Sequence, residues 1–311
     1  MNDKTKLTQA AILTALAIVF CIATAYIPFL GLLMVVVPVP YAIIATMTGH
    51  KYALISAIAS FFILILTVDF VYALNLIVMS ILPGIAVGYM INKDSNIEDG
   101  NKSFTPIFFG TIAFIISIIV FNIDLLETFS EMIKTTVETQ FSIMESANIM
   151  PKGDIAPKDI IKVMQNIIPT MLFAYSIIAS IITYYVEAFI LRRIKRLNYK
   201  LPKFSDFYLP GNAIITSLLL YLLTMFLGML NIGLYTDAII LNVQLIFSIL
   251  FLLQGISVAI YFIKEWRKKS PSKIFFAVMA VFLLSGSMIL SFVGMIDSAI
   301  DFRKVRNYKS T

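Results

Sequence analysis

The twenty residues from Leu7 to Tyr26, LTQAAILTALAIVFCIATAY, decide the fold. They carry no charge, and about 20 apolar residues are what an α-helix needs to cross a hydrocarbon core roughly 30 Å thick. Lys4 and Lys6 stand just before them and no small-residue cleavage pattern ends them, so the segment reads as a retained span and not as a secretory signal. The pattern recurs along all 311 residues, of which 59% are hydrophobic and only 14% charged. A soluble domain carries about 25% charged residues to cover itself in water. The expected fold is therefore all-α, a polytopic transmembrane helix bundle whose helices satisfy the backbone where water cannot.

Outward from the first span, Ile27 to Gly31 reverses the chain. A second span runs to about Thr48, bent by Pro38 and Pro40, which remove two backbone donors, beside a short lid. Gly49-His50-Lys51 turns into a third span to about Val68, and Asp69-Phe70 into a fourth to about Ile91. Residues 1–92 thus read as a four-helix half made of two tight hairpins, followed by a charged cytoplasmic linker at 93–103. Residues 104–192 hold the fifth and sixth spans, with an extracytoplasmic insertion at 123–165 between them. Within it Leu126, Phe129, Ile133, Val137, Phe141 and Met144 recur at spacings of three and four, opposite Glu127, Glu131, Glu138 and Glu145. That is an amphipathic helix, lying on the bundle or on the headgroups. Ala147 to Asp154 reads as a Pro/Gly loop, Pro157 suits a first helical turn, and Pro169 predicts a kink. Residues 193–311 add a basic loop to Lys203, spans at about Gly211–Leu230, Ala238–Ile263 and Ile274–Met295, and a polar tail. The count is about nine spans, with eight as the alternative.

Charge orients the bundle. With the amino terminus in the cytoplasm, sixteen of the 24 basic residues fall on the inner side, as the positive-inside bias requires of a multi-pass protein of the cell membrane. Nine crossings leave Arg303, Lys304, Arg306 and Lys309 outside, against that bias. Either the last segment does not fully cross, or the tail folds against the protein with Asp297 and Asp301 as partners.

Several functions are excluded by what the chain lacks. Cys21 is the one cysteine and His50 the one histidine, which leaves no thiolate cluster and no histidine-based zinc site. None of the 13 glycines precedes a lysine, so the phosphate-cradling nucleotide loop is absent. No G-x-S-x-G elbow or H-E-x-x-H pair occurs, and no catalytic residue, cofactor or metal ligand is assigned; the chain is not expected to be an enzyme. A net charge of +6 would suit nucleic acid, but the basic residues flank apolar spans and are explained by anionic lipid. The lipid bilayer is the expected partner, and nucleic acid is not.

Small residues four apart let helices approach closely. Such stripes lie at Ala11 and Ala15, at Ala53 and Ala57, at Ser80, Gly84 and Gly88, and at Ser287, Ser291 and Gly294. Each reads as packing within the bundle or as a docking face for another membrane subunit; Ala11 and Ala15, near the cytoplasmic end, are the candidate docking face. Polar groups at membrane depth are the other candidates. Glu187 reads as a snorkelling ion pair with Arg192 or as a transport residue. Asp69, Tyr72 and Asn75 cluster at an outer hairpin, as contacts for a small polar ligand or as a helix turn capped by Asp69. Gln244, Ser248 and Gly255 share a face with Asn242 nearby, as an interhelical hydrogen-bond seam or as a pore lining.

The opening Leu-Thr-Gln-Ala-Ala-Ile-Leu-Thr-Ala-Leu-Ala, the turn at Pro28, Val-Pro-Val-Pro-Tyr at 37–41 and Ser-Ile-Leu-Pro-Gly-Ile-Ala-Val-Gly-Tyr at 80–89 resemble the amino-terminal half of S components. These are the substrate-binding membrane subunits of energy-coupling-factor vitamin importers. Over the whole chain, Leu253-Gln254-Gly255 before Tyr261 and the ending Gly294-Met-Ile-Asp297-Ser-Ala-Ile-Asp301-Phe-Arg303-Lys304 resemble the YybS-like family of bacterial membrane proteins. The S-component resemblance implies that Ala11 and Ala15 face a transmembrane coupling subunit that works with ATPases. It also implies a small-molecule solute held beneath the loop Ile27–Gly31. S components have six spans, and the longer chain here departs from them. The expected function is a non-catalytic subunit that binds or helps to move a small solute; the rival is a structural or assembly role in the cell envelope.

Overall fold

The computed structural model describes residues 2–94, 104–121, 125–147, 156–194, 203–230, 236–269, 278, 288–301 and 303–304. The linker at 93–103, the loop at Ala147–Asp154 and the last span at Ile274–Met295 fall largely outside the described residues, as do the side chains of Leu126 and Phe129. Among the described residues the ordered elements are helices alone: α1 (Asp3–Tyr26), a 3-10 stretch (Pro28–Val36), α2 (Pro38–Thr48), α3 (His50–Thr67), α4 (Phe70–Leu76), a π-helical turn (Ile77–Ile81), α5 (Leu82–Asp94) and α6 (Thr105–Phe121). There follow α7 (Leu125–Ser146), α8 (Pro157–Asn166), α9 (Ile168–Arg193), a 3-10 turn (Phe204–Asp206), α10 (Ala213–Met229), α11 (Thr236–Lys269) and α12 (Met288–Ile300). Five are long and apolar enough to cross a membrane: Asp3–Tyr26, His50–Thr67, Phe70–Asn92, Ile168–Arg193 and Asp237–Trp266. Shorter apolar helices occupy Leu33–Thr48, Thr105–Ile119, Ala213–Met229 and Met288–Ile300. The polytopic helical bundle expected from the sequence is what forms.

The breaks between helices follow from particular residues. Pro28 and Pro38 open their elements, where a missing N–H costs nothing. Gly49 takes φ +92° between α2 and α3, a backbone region that a side chain disfavours. The π-helical turn stands directly before Pro83, and Leu82 N–H reaches back to the Ile77 carbonyl, widening the helix where proline removes a donor.

The chain divides into two compact units. The first comprises Met1–Thr128 and Leu172–Leu201, so α6 and most of α9 fold with the four-helix half read from the sequence. Its core gathers Ala17, Cys21, Tyr41, Ile44, Ala53, Ala57, Leu64 and Leu76, and the Tyr41 hydroxyl donates to Ser60 Oγ at 2.8 Å. A Cβ on Gly84 or Gly88 would strike the backbone carbonyl of Pro38 or Ala42, so the stripe on α5 is where α2 packs. The Ala53–Ala57 stripe is likewise spent in this core.

The second unit comprises Phe129–Met171 and Pro202–Thr311. Glu127 of α7 belongs to the first unit's span, while Glu131, Glu138 and Glu145 continue the exposed face of the helix and Val137 is buried, giving the amphipathic character expected. Gln165 of α8 donates to Ser130 of α7. α11 and α12 are in close contact: Ser291 Oγ donates to the Ser248 carbonyl at 2.9 Å, and Gln254 Nε2 to Asp297 Oδ2 at 2.9 Å, both pairs 43 residues apart. A constant offset means that the two helices run parallel. Cβ atoms on Gly255 and Gly294 would strike the carbonyls of Leu290 and Phe251, so the described part of the last stripe is packing; Ser287 lies outside the described residues.

Two consecutive spans would run antiparallel and put the carboxyl end of α12 at the end of α11 opposite Lys264; the parallel arrangement corrects that expectation for the ninth crossing. It places the carboxyl end of α12 at the end of α11 that carries Lys264, and there Lys264 Nζ and Arg303 Nη1 both reach Ser205, at 2.9 and 2.8 Å. Asp301 and Lys304 take φ +48° and +54°, and this left-handed turn folds Arg303 back onto Asp297 at 2.7 Å. The tail therefore packs against the protein with Asp297 as partner.

Candidate functional site

Glu187 on α9 is fully buried, and its surroundings correct the sequence expectation of an ion pair with Arg192. Arg192 is exposed, while Glu187 Oε1 is within hydrogen-bond reach of the Thr46 hydroxyl and Oε2 has no hydrogen-bond partner. The reason is helical geometry. Five residues at about 100° each leave the two side chains roughly 140° apart around the helix. The Thr46 hydroxyl also lies 2.8 Å from the Gly88 carbonyl, so α2, α5 and α9 bring three oxygens together at one point. The same three helices contribute Val39, Ile43, Val87, Tyr184 and Leu191 to one hydrophobic cluster.

Ala11 and Ala15 are exposed, whereas Ala10, Thr14 and Ala17 of α1 are buried. Together with Thr14, Tyr52, Ile55 and Ala59 they line an apolar groove of about 250 Å³ between α1 and α3. Of the small-residue stripes, this one is not consumed by packing among the described residues.

Asp69 accepts the Tyr72 N–H at 2.8 Å and so caps α4. The Tyr72 hydroxyl lies 2.9 Å from Thr24 Oγ1 and donates to the Cys21 carbonyl at 2.9 Å, which pins α4 to α1. Asn75 is half-buried one turn on. The cluster thus acts first as a cap and a brace. Asp69→Ala is expected to lower stability by about 1 kcal/mol, the usual cost of losing an N-cap. Chemical denaturation in mild detergent measures it, and an unchanged midpoint would remove the cap from the account.

In the second unit the structure separates residues that the sequence grouped. Asn242 is buried, where Oδ1 accepts Thr170 N–H at 3.0 Å and Thr170 Oγ1 at 2.6 Å, and Nδ2 donates to the Asn166 carbonyl at 2.6 Å. It is an interhelical seam in the strict sense, sited where Pro169 breaks the chain between α8 and α9. Gln244 is exposed instead. It lines a cavity of about 490 Å³ among α10, α11 and α12, with Ser217, Tyr221, Ser248 and Phe292. Gly255 belongs to the α12 contact.

The sequence reading offered Asp297 as a partner of the tail but missed the polar cluster built on it. Gln254 and Arg303 converge on Asp297 Oδ2 at 2.7–3.0 Å, and Ser257 Oγ accepts from Arg303 at 2.7 Å. Gln254 Oε1 in turn accepts the Leu209 N–H at 2.9 Å. An amide in the middle of an apolar span and an arginine six residues after an aspartate were the visible signals.

These arrangements have one thing in common: the polar groups at depth tie helices to one another, across a scaffold built to sit in lipid. Such a fold defines a polytopic helical membrane protein. More narrowly, the chain belongs to the predicted membrane protein family DUF2232, whose model matches residues 15–298. No curated protein and no solved structure matches it.

Proposed function

We propose that the chain is a non-catalytic membrane subunit of S-component type, which binds a small solute and docks on a transmembrane coupling subunit served by ATPases. The supporting observation is the first unit. Its described residues make six helical passes, namely α1, the 3-10 stretch with α2, α3, α4 with α5, α6, and α9, in one compact body. Six is the number of spans that the resemblance implies. The loop Ile27–Gly31, beneath which the resemblance implies the solute, runs into the 3-10 stretch Pro28–Val36, and Ala11 and Ala15 line an apolar groove. In this reading the YybS-like chain keeps the importer scaffold and carries the second unit as an addition. The amino terminus is cytoplasmic, and the Ala11–Ala15 face lies toward the coupling subunit.

Both alanines are exposed, so tryptophan at these positions fills the groove from its open side. Ala11→Trp with Ala15→Trp is therefore expected to fold as the wild type does and to lose a copurifying membrane partner at least tenfold, read by quantitative mass spectrometry of gently purified protein. Retention of that partner at wild-type levels would end the docking claim. A structural role in the envelope is the second reading, favoured by the amphipathic pair α7 and α8 with their Gln165–Ser130 bond. A binding subunit gains thermal stability from its solute and a scaffold does not, so a screen of small polar solutes by thermal shift separates the two.

A further inference from the structure

Thr46, Gly88 and Glu187 make a contact that is one proton short. Thr46 Oγ1 lies 2.8 Å from the Gly88 carbonyl and within hydrogen-bond reach of Glu187 Oε1. A hydroxyl carries one hydrogen and two lone pairs, so it donates to only one of these oxygens. With Glu187 ionised, the other contact would set two acceptors against each other. Burial makes this worse, since Glu187 is fully buried and its Oε2 has no partner. An unpaired carboxylate keeps its whole desolvation cost there.

No cation offsets it among the described side chains. On α9 Arg192 and Arg193 are exposed, and Tyr184 and Tyr185 are phenols, which supply no positive charge in either protonation state. On α2 Tyr41 is committed to Ser60, and His50 just beyond it is exposed and edge-on to Tyr89 of α5. α6 carries no titratable side chain, and on α1 Asp3, Lys4 and Lys6 lie at its start.

We infer that Glu187, Thr46 and Gly88 form a proton-binding site within the membrane span. Glu187 holds the proton and donates it from Oε1 to Thr46 Oγ1, and Thr46 donates its own hydrogen to the Gly88 carbonyl. One added proton completes both contacts and leaves no buried charge. Because the three oxygens belong to α9, α2 and α5, that proton closes the contact among three helices, and its departure would leave a bare anion between them. The site does not depend on the solute reading and stands whether or not a solute binds.

Infrared spectroscopy of the full chain in nanodiscs tests it. Wild type is expected to show the carbonyl stretch of a protonated carboxylic acid, absent from Glu187→Gln and moved to higher frequency in Thr46→Val, where the acid loses its acceptor. An identical protonated-acid band in wild type and Glu187→Gln would overturn the site. So would a rise in melting temperature with sodium over choline chloride that is present in wild type and abolished in Glu187→Gln, since an alkali cation would then occupy the place of the proton. Should Glu187→Gln fail to fold, the Thr46→Val spectrum decides, and an unmoved band counts against the proposal.

Discussion

Arg303→Ala is expected to lower stability by about 3–5 kcal/mol, the range for removing one partner of a buried ion pair. Arg303 is only 5% exposed, and its whole guanidinium is engaged. Nε and Nη2 donate to Asp297 Oδ2 at 3.0 and 2.7 Å, Nη1 to the Ser205 carbonyl at 2.8 Å and to Ser257 Oγ at 2.7 Å, and Nη2 also to the Phe207 carbonyl at 2.9 Å. Alanine removes all of these and leaves Asp297 buried with the Gln254 amide donating to Oδ2, its Oδ1 already lacking a hydrogen-bond partner. The loss is therefore the desolvation of an unpaired carboxylate more than the value of the bridge. That distinction is testable, because replacing both partners of a buried pair by apolar residues is often neutral or stabilising. Arg303→Met combined with Asp297→Leu should recover most of what Arg303→Ala loses in a denaturant titration in micelles. A single variant within about 1 kcal/mol of wild type, the value of a surface pair, would show that the cluster is solvated and not buried.

This cluster also shows what a sequence yields and what it withholds. Helix existence was legible throughout the described chain, because apolar length is a one-dimensional property and the bilayer fixes the length required. Local caps were legible for the same reason: Asp69 stands three residues from the N–H it accepts. The folding back of the tail onto Asp297 was readable as one of two alternatives, since the arginine lies six residues away. Its other partners, Ser205 and Phe207, lie 98 and 96 residues away, and no periodicity encodes that distance. Glu187 shows the opposite error. Nearness in sequence suggested Arg192, helical phase put the two on different faces, and the true neighbour, Thr46, is 141 residues off. The parallel pairing of α11 with α12 was invisible too, because glycines at Gly255 and Gly294 announce a close contact without naming its partner or direction.

Asn242→Leu is the second large effect expected, and its size follows from which groups it strands. In an unbroken helix the Thr170 N–H would donate to the Asn166 carbonyl, four residues back. Here the chain is interrupted at Ile167 and Pro169, and the Asn242 amide stands between the two groups, accepting from Thr170 N–H at 3.0 Å and donating to the Asn166 carbonyl at 2.6 Å. One side chain thus replaces a lost helical hydrogen bond, which keeps the break affordable in an apolar surround. Ordinary side-chain hydrogen bonds between membrane helices average about 0.6 kcal/mol, because the unfolded chain in lipid finds other partners. Leucine removes more than a side-chain bond: it strands a backbone donor and a backbone acceptor, each at about 1–3 kcal/mol when buried, for a total of about 2–6 kcal/mol. Thr170→Ala supplies the comparison, since it removes the 2.6 Å bond from Thr170 Oγ1 to Asn242 while leaving the backbone bridge intact. It should cost about 0.6 kcal/mol, the ordinary value. Equal losses in the two variants would mean that Asn242 contributes as a common interhelical polar contact and not as a splint for the broken backbone.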